Sequence, residues 1–266
     1  MEIPVGVANS VSANFEYDPI DALKYAHLSE FDLFQLFVTP EMISDDGWFL
    51  RAKEYSQKNA IRRLYLHGSG YFSPELVKSG YFLNLCQINE DLGGAGIVLH
   101  FDEDESLDTM LKAARLVAEK TVPVYLENYF KAPGSSAAEK NLRKYQAVFT
   151  LLPNQAEAML RPVLDIPRFF HQNLAFQPAE SLNWCFQMIN FFNNRRLPLL
   201  LHLLDCHSAA QERNSFCALG SGQIPYRELF QFIRKTAPAI EGIIFEFEDK
   251  INPLKSREFL QSLYEN

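Results

Sequence analysis

Residues 96–127 read GIVLHFDEDESLDTMLKAARLVAEKTVPVYLE and contain one unit of the pattern that organises the whole chain. Two short apolar runs, Gly96–His100 and Val122–Glu127, are rich in the β-branched, aromatic and leucine residues typical of strands. Between them, Ser106–Lys120 has helical periodicity and starts at a serine, as a helix should. The segment predicts a strand–helix–strand unit, and each strand ends in a side chain that can bind a metal.

The same alternation continues from one end of the chain to the other. The other predicted strands are Ile3–Val7, Leu33–Val38, Leu64–His67, Pro162–Asp165, Leu199–Leu203 and Gly242–Glu248. The other predicted helices are Pro19–Leu28, Pro74–Leu92, Ala137–Leu152, Ala179–Phe192 and Tyr226–Lys235. Eight strands in 266 residues average about 33 residues per unit, which predicts a single-domain α/β protein, a (β/α)8 TIM barrel over residues 1–266. A doubly wound sheet competes, but the first strand runs into VANSVSANF without a GxGxxG turn.

The composition of the chain indicates which binding partners and which cellular compartment to expect. The chain has 25 Lys and Arg against 33 Asp and Glu, and this net charge of -8 disfavours nucleic acid as a partner. The four cysteines form no CxxC pair, so we expect free thiols in a reducing compartment. The first residues, MEIPVGVANS, do not resemble a signal peptide, and the longest apolar stretch, LPLLLHLL, is too short to cross a membrane. We therefore expect a cytoplasmic protein without a membrane anchor.

Six successive predicted strands carry a metal-binding side chain near the C-terminal end. A single histidine at such a position is more often structural, and a single carboxylate is often a helix N-cap. Six in succession favour a shared site, because the C-terminal ends of barrel strands meet at one mouth. A shared cation would also offset the cost of burying these carboxylates. The six side chains are His67, His100, Glu127, Asp165, His202 and Glu246.

Several segments, taken in order, resemble the xylose isomerase-like TIM barrels, which include endonuclease IV and the sugar isomerases and epimerases. EIPVGVANSVS is similar to the first strand of that family, and FDLFQLFVTP to the Phe-Gln-x-Phe second strand of endonuclease IV relatives. YLHGSGY, IVLHF, VYLEN, LLHLLD, LGSGQIPYRELF and IIFEFED follow in the family's order. The resemblance covers nearly the whole chain.

The resemblance implies a divalent metal. The sugar isomerase and epimerase branch holds one ion with a Glu-Asp-His-Glu set, which is matched here by Glu127, Asp165, His202 and Glu246. In endonuclease IV the ligands of an additional metal are matched by His67 and His100, with Glu127 as a bridge. One ion is therefore expected, and the endonuclease IV pattern would add a second. Imidazoles mixed with carboxylates suit manganese or zinc, which are the expected metals.

The chain also departs from these patterns. Endonuclease IV has a further histidine three residues after the strand-six aspartate, where this chain has Arg168. It also has an Asp-x-His before the glycine pair, where this chain has Asn214 and Phe216. The ligands of a third metal are therefore absent, unless His171 or His207 replaces one of them from a shifted loop. Sugar epimerases often share the first of these histidines, so its loss counts against that branch too.

Three functions remain open at this stage. The resemblance implies first a metal-dependent isomerase or epimerase acting on a small sugar or sugar phosphate. Glu127 and Glu246 would be its catalytic residues, taking and returning a carbon-bound proton beside metal-chelated oxygens. The alternative is an endonuclease IV-like phosphodiesterase, in which two metals bridged by Glu127 generate hydroxide. A metal-binding protein without catalytic activity is the third.

Three basic residues lie in loops at the expected mouth of the barrel. Arg168, Arg213 and Lys131 could clamp an anionic group of the substrate. A cation in a loop is more often solvated, so the sequence leaves both interpretations open.

Other residues near the predicted seventh strand are further substrate-binding candidates. Gly220 and Gly222 could let the backbone approach a ligand oxygen, or could form the turn before the next helix. Asp205 and His207 follow His202 by three and five residues and could position substrate. His207 could equally form a hydrogen bond within its own loop.

Overall fold

The computed structural model describes residues 3–59, 61–152, 156 and 158–264. Its barrel strands are β1 Val5–Ala8, β2 Leu33–Val38, β3 Arg63–Tyr71, β4 Gly96–His100, β5 Val124–Glu127, β6 Leu160–Asp165, β7 Leu199–Leu203 and β8 Ile240–Phe245. All are parallel, and each pairs with its neighbours in the chain. Strand β1 pairs with both β2 and β8, so the sheet closes without an open edge. The predicted (β/α)8 barrel is confirmed.

The strands are connected by helices. These are α1 Pro19–Leu28, α2 Pro40–Ile43, α3 Asp46–Lys58, α4 Pro74–Lys78, α5 Gly80–Asp91, α6 Leu107–Ala118, α7 Ser135–Thr150, α8 Pro178–Asn194, α9 Tyr226–Thr236 and α10 Asn252–Tyr264. Asp18, Thr39 and Ser73 each stand before a proline and accept a backbone N–H of the helix that follows, so side-chain caps start α1, α2 and α4. None of the described helices has the length and apolar character needed to cross a membrane.

One predicted helix was wrong in its extent. The segment predicted as Pro74–Leu92 is two helices, α4 and α5, which meet at Ser79. Ser79 has extended backbone angles, and its hydroxyl caps α5 by accepting the N–H of Phe82 at 3.1 Å. A serine that bonds the backbone in this way offers an alternative to continuing the first helix. Helices α3 and α10 were not predicted, and the α3 sequence DGWFLRAKEYSQK is mainly polar.

Two layers of apolar side chains lie on the two faces of the strands. The outer layer packs between strands and helices and includes Leu64 and Leu66 of β3. The inner layer fills the barrel and includes Tyr65 of the same strand. This alternation follows from the two-residue period of a strand. The inner layer consists of Ala8, Leu33, Tyr65, Val98, Tyr125, Val163, Leu200 and Ile244.

A carboxylate lies below this inner layer at the N-terminal end of the barrel. Glu241 Oε1 accepts the hydroxyl hydrogens of Tyr65 and Tyr125 at 3.0 and 2.5 Å. Its other oxygen forms an ion pair with Arg161 at 3.1 Å, and its side chain is only 9% exposed. Burial and the nearby Glu241 charge raise the pKa of both tyrosines, so both hydroxyls stay protonated as donors. This network ties together β3, β5, β6 and β8.

Candidate metal centre

Strand alternation places the six predicted ligands together at the C-terminal mouth. Each follows, by two residues, a side chain of the inner layer, and therefore points to the inside of the barrel. The mouth contains a cavity of about 340 Å³. His202 is fully buried beneath this cavity. The other five line its wall: His67, His100, Glu127, Asp165 and Glu246.

Glu127 is the centre of this arrangement. Its Oε2 lies 3.0 Å from His67 Nε2, 3.4 Å from His202 Nδ1 and 3.8 Å from His100 Nε2. Burial alone would raise the pKa of Glu127, but His202 and His100 outweigh it and hold that pKa well below its usual range. Burial also lowers the pKa of His100 to about 3, so that imidazole is neutral and keeps a lone pair for a metal.

His202 connects two carboxylates. Its Nδ1 lies 3.2 Å from Glu246 Oε1 and 3.4 Å from Glu127 Oε2. Neither ring nitrogen makes a hydrogen bond with a described residue, although both nitrogens are buried. Burial opposes a charge on this imidazole, but Glu246 and Glu127 outweigh that effect and raise the pKa of His202 to about 9. A positive charge is therefore favoured at the point that the two carboxylates share.

Gln35 of β2 holds the second of these carboxylates. Its Nε2 donates a hydrogen bond to Glu246 Oε1 at 2.9 Å. The carboxylate can only accept, so this contact also fixes which end of the Gln35 amide points at it. Gln35 is 2% exposed and lines the cavity, and it was not among the residues predicted from the sequence. The strand pattern does indicate its position: Gln35 stands two residues after the inner-layer residue Leu33, so its side chain also points to the inside of the barrel.

Asp165 is held on three sides. Its backbone N–H donates to Asn128 Oδ1 at 2.7 Å, and its carbonyl accepts from Asn128 Nδ2 at 3.1 Å. Its carboxylate accepts from Arg168 Nε at 3.0 Å. Burial raises the pKa of Asp165 to about 8, with Arg168 opposing and Glu127 contributing. Asp165 therefore lies at the cavity wall with a fixed backbone and a cation beside it.

An aromatic ring connects the histidines to the loop cations. Tyr129 stacks on His100, with ring centroids 4.4 Å apart and an interplanar angle of 25°. The Cζ atom of Arg168 lies 4.3 Å from the centroid of the same ring. Lys131 Nζ lies 4.1 Å from the Tyr71 centroid and 5.4 Å from that of Tyr129. Arg168 lines the cavity, and Lys131 is an exposed residue beside these rings.

The predicted ligands converge to different degrees. Within the described part of the chain, one group of three has ligand atoms that all lie within 4.8 Å of one another: His67, His100 and Glu127. His202 and Glu246 join it through pairwise contacts with Glu127 and with each other. Asp165 has its ion pair with Arg168 instead. The four residues that match the Glu-Asp-His-Glu set, Glu127, Asp165, His202 and Glu246, therefore lie beside this group, but their ligand atoms are more widely spaced than those of His67, His100 and Glu127.

These residues fit a divalent cation. Three carboxylates and three imidazoles suit zinc or manganese by donor type. The two carboxylates that face His202 Nδ1 give independent support, because like charges close together in a buried site repel each other. A cation held between Glu127 and Glu246 would offset that repulsion.

The structure places three of the expected substrate contacts, Asp205, Gly220 and Gly222, outside the cavity. Asp205 is buried, and its carboxylate accepts the backbone N–H groups of Gly220 and Gly222, each at 3.0 Å. A Cβ on Gly222 would come within 2.2 Å of Asp205 Oδ1, so only glycine allows this approach. None of the three lines the cavity. They form the turn before α9, which was the alternative for the glycines.

Two further loop residues lie away from the cavity. Arg213 is 73% exposed, pairs with Glu248 at 2.9 Å and does not line the cavity. His207 is exposed, and its Nδ1 lies 3.8 Å from Cys217 Sγ, which matches the loop-bonded alternative. His171 does line the cavity, but its Nδ1 accepts the N–H of Asn173. Neither histidine belongs to the compact group at Glu127.

Comparisons with known proteins give structural matches alone. No protein-family model and no curated protein sequence matches the chain. Among solved structures, a D-tagatose 3-epimerase-like protein matches with a TM-score of 0.66 and 13% identity, over 99% of this chain and 97% of that one. A xylose isomerase domain protein from Salmonella typhimurium matches with a TM-score of 0.58 and 11% identity, over the full length of both chains. The chain has the xylose isomerase-like TIM-barrel fold.

Another protein with the xylose isomerase-like fold matches as well. It is the IolI protein, solved with a bound zinc atom, with a TM-score of 0.61 and 12% identity over 98% of this chain and 96% of that one. At these identities the likeness establishes the fold, while the chemistry has to be argued from the side chains of this chain.

Proposed function

We propose that this protein is a divalent-metal-dependent isomerase or epimerase that moves a carbon-bound proton in a small hydroxy-keto sugar. One observation carries the proposal: Glu127 and Glu246 approach His202 Nδ1, at 3.4 and 3.2 Å, and both line the cavity. Two carboxylates facing one cavity provide one group to take a proton and another to return it. Two structural neighbours, a D-tagatose 3-epimerase-like protein and a protein that contains a xylose isomerase domain, support this chemistry.

The metal would be held by Glu127, His202 and Glu246, with Asp165 beside them. When bound there, a manganese or zinc ion supplies Lewis-acid polarisation of neighbouring hydroxyl and carbonyl oxygens, which acidifies the hydrogen on the carbon between them. His67 and His100 extend the same donor set through Glu127 Oε2.

The two carboxylates suit different halves of the proton transfer. Glu127 is 2% exposed and ionised, so it can accept a proton without competition from bulk water. Glu246 is 27% exposed, and Gln35 fixes the direction of its Oε1. One carboxylate takes the proton. Return by the other carboxylate to the opposite face of the same carbon is epimerisation. Return to the neighbouring carbon, with the hydroxyl proton passing to the former carbonyl oxygen, is isomerisation.

Deuterium incorporation tests this proposal. Protein loaded with manganese or zinc is incubated in D2O with ketoses and ketose phosphates, and exchange at the substrate's α-carbon is followed by NMR. For Glu246→Gln, we expect exchange to fall by about 10²–10⁴-fold, the usual contribution of a general base. The fold should be retained.

The matched control is Glu248→Gln, because Glu248 is two residues further on and pairs with Arg213 outside the cavity. This variant should exchange at the wild-type rate. Full deuterium incorporation by folded Glu246→Gln would refute the assignment of the base.

A metal-dependent phosphodiesterase is the second candidate, and the compact group of His67, His100 and Glu127 favours it. That group offers a second cation position beside the first, as a two-metal hydrolase requires. Hydrolysis of bis(4-nitrophenyl) phosphate by the metal-loaded protein, without exchange on any ketose, would favour this candidate. The net charge of -8 points to a small substrate and away from duplex DNA in either case.

A further inference from the structure

Arg168 supplies a fixed positive charge to the cavity. It is the one lysine or arginine among the described residues that line the cavity. It lies in the short 3-10 turn Pro167–Phe170, directly after β6, while the chain as a whole has a net charge of -8. A guanidinium stays protonated over the whole pH range in which proteins are folded, so this charge is permanent.

Two contacts orient the guanidinium. Its Nε donates to Asp165 Oδ2 at 3.0 Å, and its Cζ lies 4.3 Å from the centroid of the Tyr129 ring. Tyr129 is itself held by stacking on His100. The side chain is 32% exposed. One edge and the plane of the group are therefore positioned by the protein before any ligand arrives.

The other edge of the guanidinium is unused. The two terminal nitrogens of Arg168 donate to no residue in the described part of the chain, and Asp165 is contacted through Nε alone. An arginine that served only to neutralise Asp165 would be expected to use its two-pronged fork on that carboxylate. Here the fork is left for a planar or tetrahedral oxygen anion.

Arg168 lies close to the proposed metal ligands. It is bonded to Asp165 on the β6 side of the cavity, whereas Gln35 and Glu246 lie on the side of β2 and β8. Lys131 adds a second positive charge near Arg168, because both lie against the Tyr129 ring. A ligand with hydroxyl and carbonyl oxygens between Glu127 and Glu246 would therefore have an anionic group within reach of Arg168.

We propose that the substrate carries an anionic oxygen group, a phosphate or a carboxylate, which binds the fork of Arg168 while Lys131 strengthens the field at the rim. This inference rests on the proposed function and narrows its substrate class to ketose phosphates and keto-sugar acids. A neutral sugar would leave the fork to water, so it would gain no charge-assisted hydrogen bond from Arg168.

Calorimetric binding to manganese-loaded protein tests the proposal without requiring turnover. The probes are D-fructose, D-fructose 6-phosphate and 5-keto-D-gluconate, so that the phosphate and carboxylate sources are separate arms. We expect at least one anionic sugar to bind about 10–100-fold more tightly than D-fructose, the range for a charge-assisted bidentate contact. Inorganic phosphate should compete with that sugar. Equal affinity for all three probes would overturn the proposal.

Variants separate recognition from structural support. In Arg168→Gln, the preference for the anionic sugar over D-fructose should shrink to less than about threefold. If that variant fails to fold because Asp165 loses its partner, Arg168→Lys keeps the charge but lacks the fork, and its preference should fall at least fivefold. The matched control is Arg143→Gln, because Arg143 lies on α7 and is 70% exposed. This variant should prefer the anionic sugar over D-fructose to the same extent as the wild type.

The outcomes distinguish this proposal from the reaction. Equal weakening of neutral and anionic sugars in Arg168→Gln would make Arg168 a purely structural partner of Asp165 and would overturn the proposal. The wild-type protein could prefer anionic sugars through Arg168 and yet exchange no proton on any ketose. That result would refute the proposed reaction and support the anion-binding site.

Discussion

Removing the charge of Glu241 at the N-terminal end of the barrel should destabilise the protein without changing the cavity at the C-terminal mouth. In Glu241→Gln the side chain keeps its shape, but the hydroxyls of Tyr65 and Tyr125 lose a charged acceptor. A hydrogen bond to a charged group contributes about 1.5–3 kcal/mol against about 0.5–1.5 for a neutral one, so each loses about 1 kcal/mol. The pair with Arg161 adds less than about 1 kcal/mol, because Arg161 is 34% exposed. We expect the free energy of unfolding to fall by about 2–3 kcal/mol.

Urea denaturation followed by far-UV circular dichroism measures this change, and the slope with denaturant should stay constant so that midpoints can be compared. The matched control is Glu54→Gln on α3, which removes a pair with Lys58 in which both side chains are about two-thirds exposed. That control should leave the free energy of unfolding unchanged within the error of the measurement. If Glu241→Gln changes it as little as the control does, then the buried network contributes nothing and the reasoning fails.

Two further predictions concern loops and pH. Asp205→Asn should lower the free energy of unfolding by about 2–4 kcal/mol, because an amide N–H group would face the backbone donors of the turn. Proteolysis between residues 206 and 224 should become faster. Cleavage at the wild-type rate would contradict this prediction. Asp21 is partly buried, which opposes its charge, but hydrogen bonds from Lys250 and Ser12 outweigh that effect and lower its pKa. Its stabilisation is therefore fully present above the unfolded value near 3.8 and is lost as the pH falls through the lower folded value. Asp21→Asn should cost less than about 1 kcal/mol at pH 7, and equal stability of variant and wild type near pH 2 in thermal melts is the expected result.

Much of the barrel was predictable because strand composition is local. A buried parallel strand needs an apolar run of a few residues, and GIVLH and VYLE show this without reference to any partner. Element ends were less accurate. Strand β8 was predicted to reach Glu248 but ends at Phe245, because the apolar character of Phe247 continues the pattern after the ladder has stopped.

Helix breaks were harder to predict than strands. The division between α4 and α5 depends on a hydroxyl at Ser79 that caps the second helix, and a serine within an apolar period does not announce this role.

The six side chains at the mouth could be predicted from the sequence alone. In a strand every second side chain points to the inside of the barrel, and parallel strands all end at the same rim. Which loop residues reach the cavity was a matter of three-dimensional packing. Arg168 and Asp205 both follow strand ends, yet Arg168 lines the cavity while Asp205 turns away to bind glycine N–H groups. A loop side chain takes the partner that the fold brings within hydrogen-bonding reach, and those partners lie up to 19 residues away for Asp205. Proximity of that kind is a property of the closed barrel and not of any short stretch of sequence.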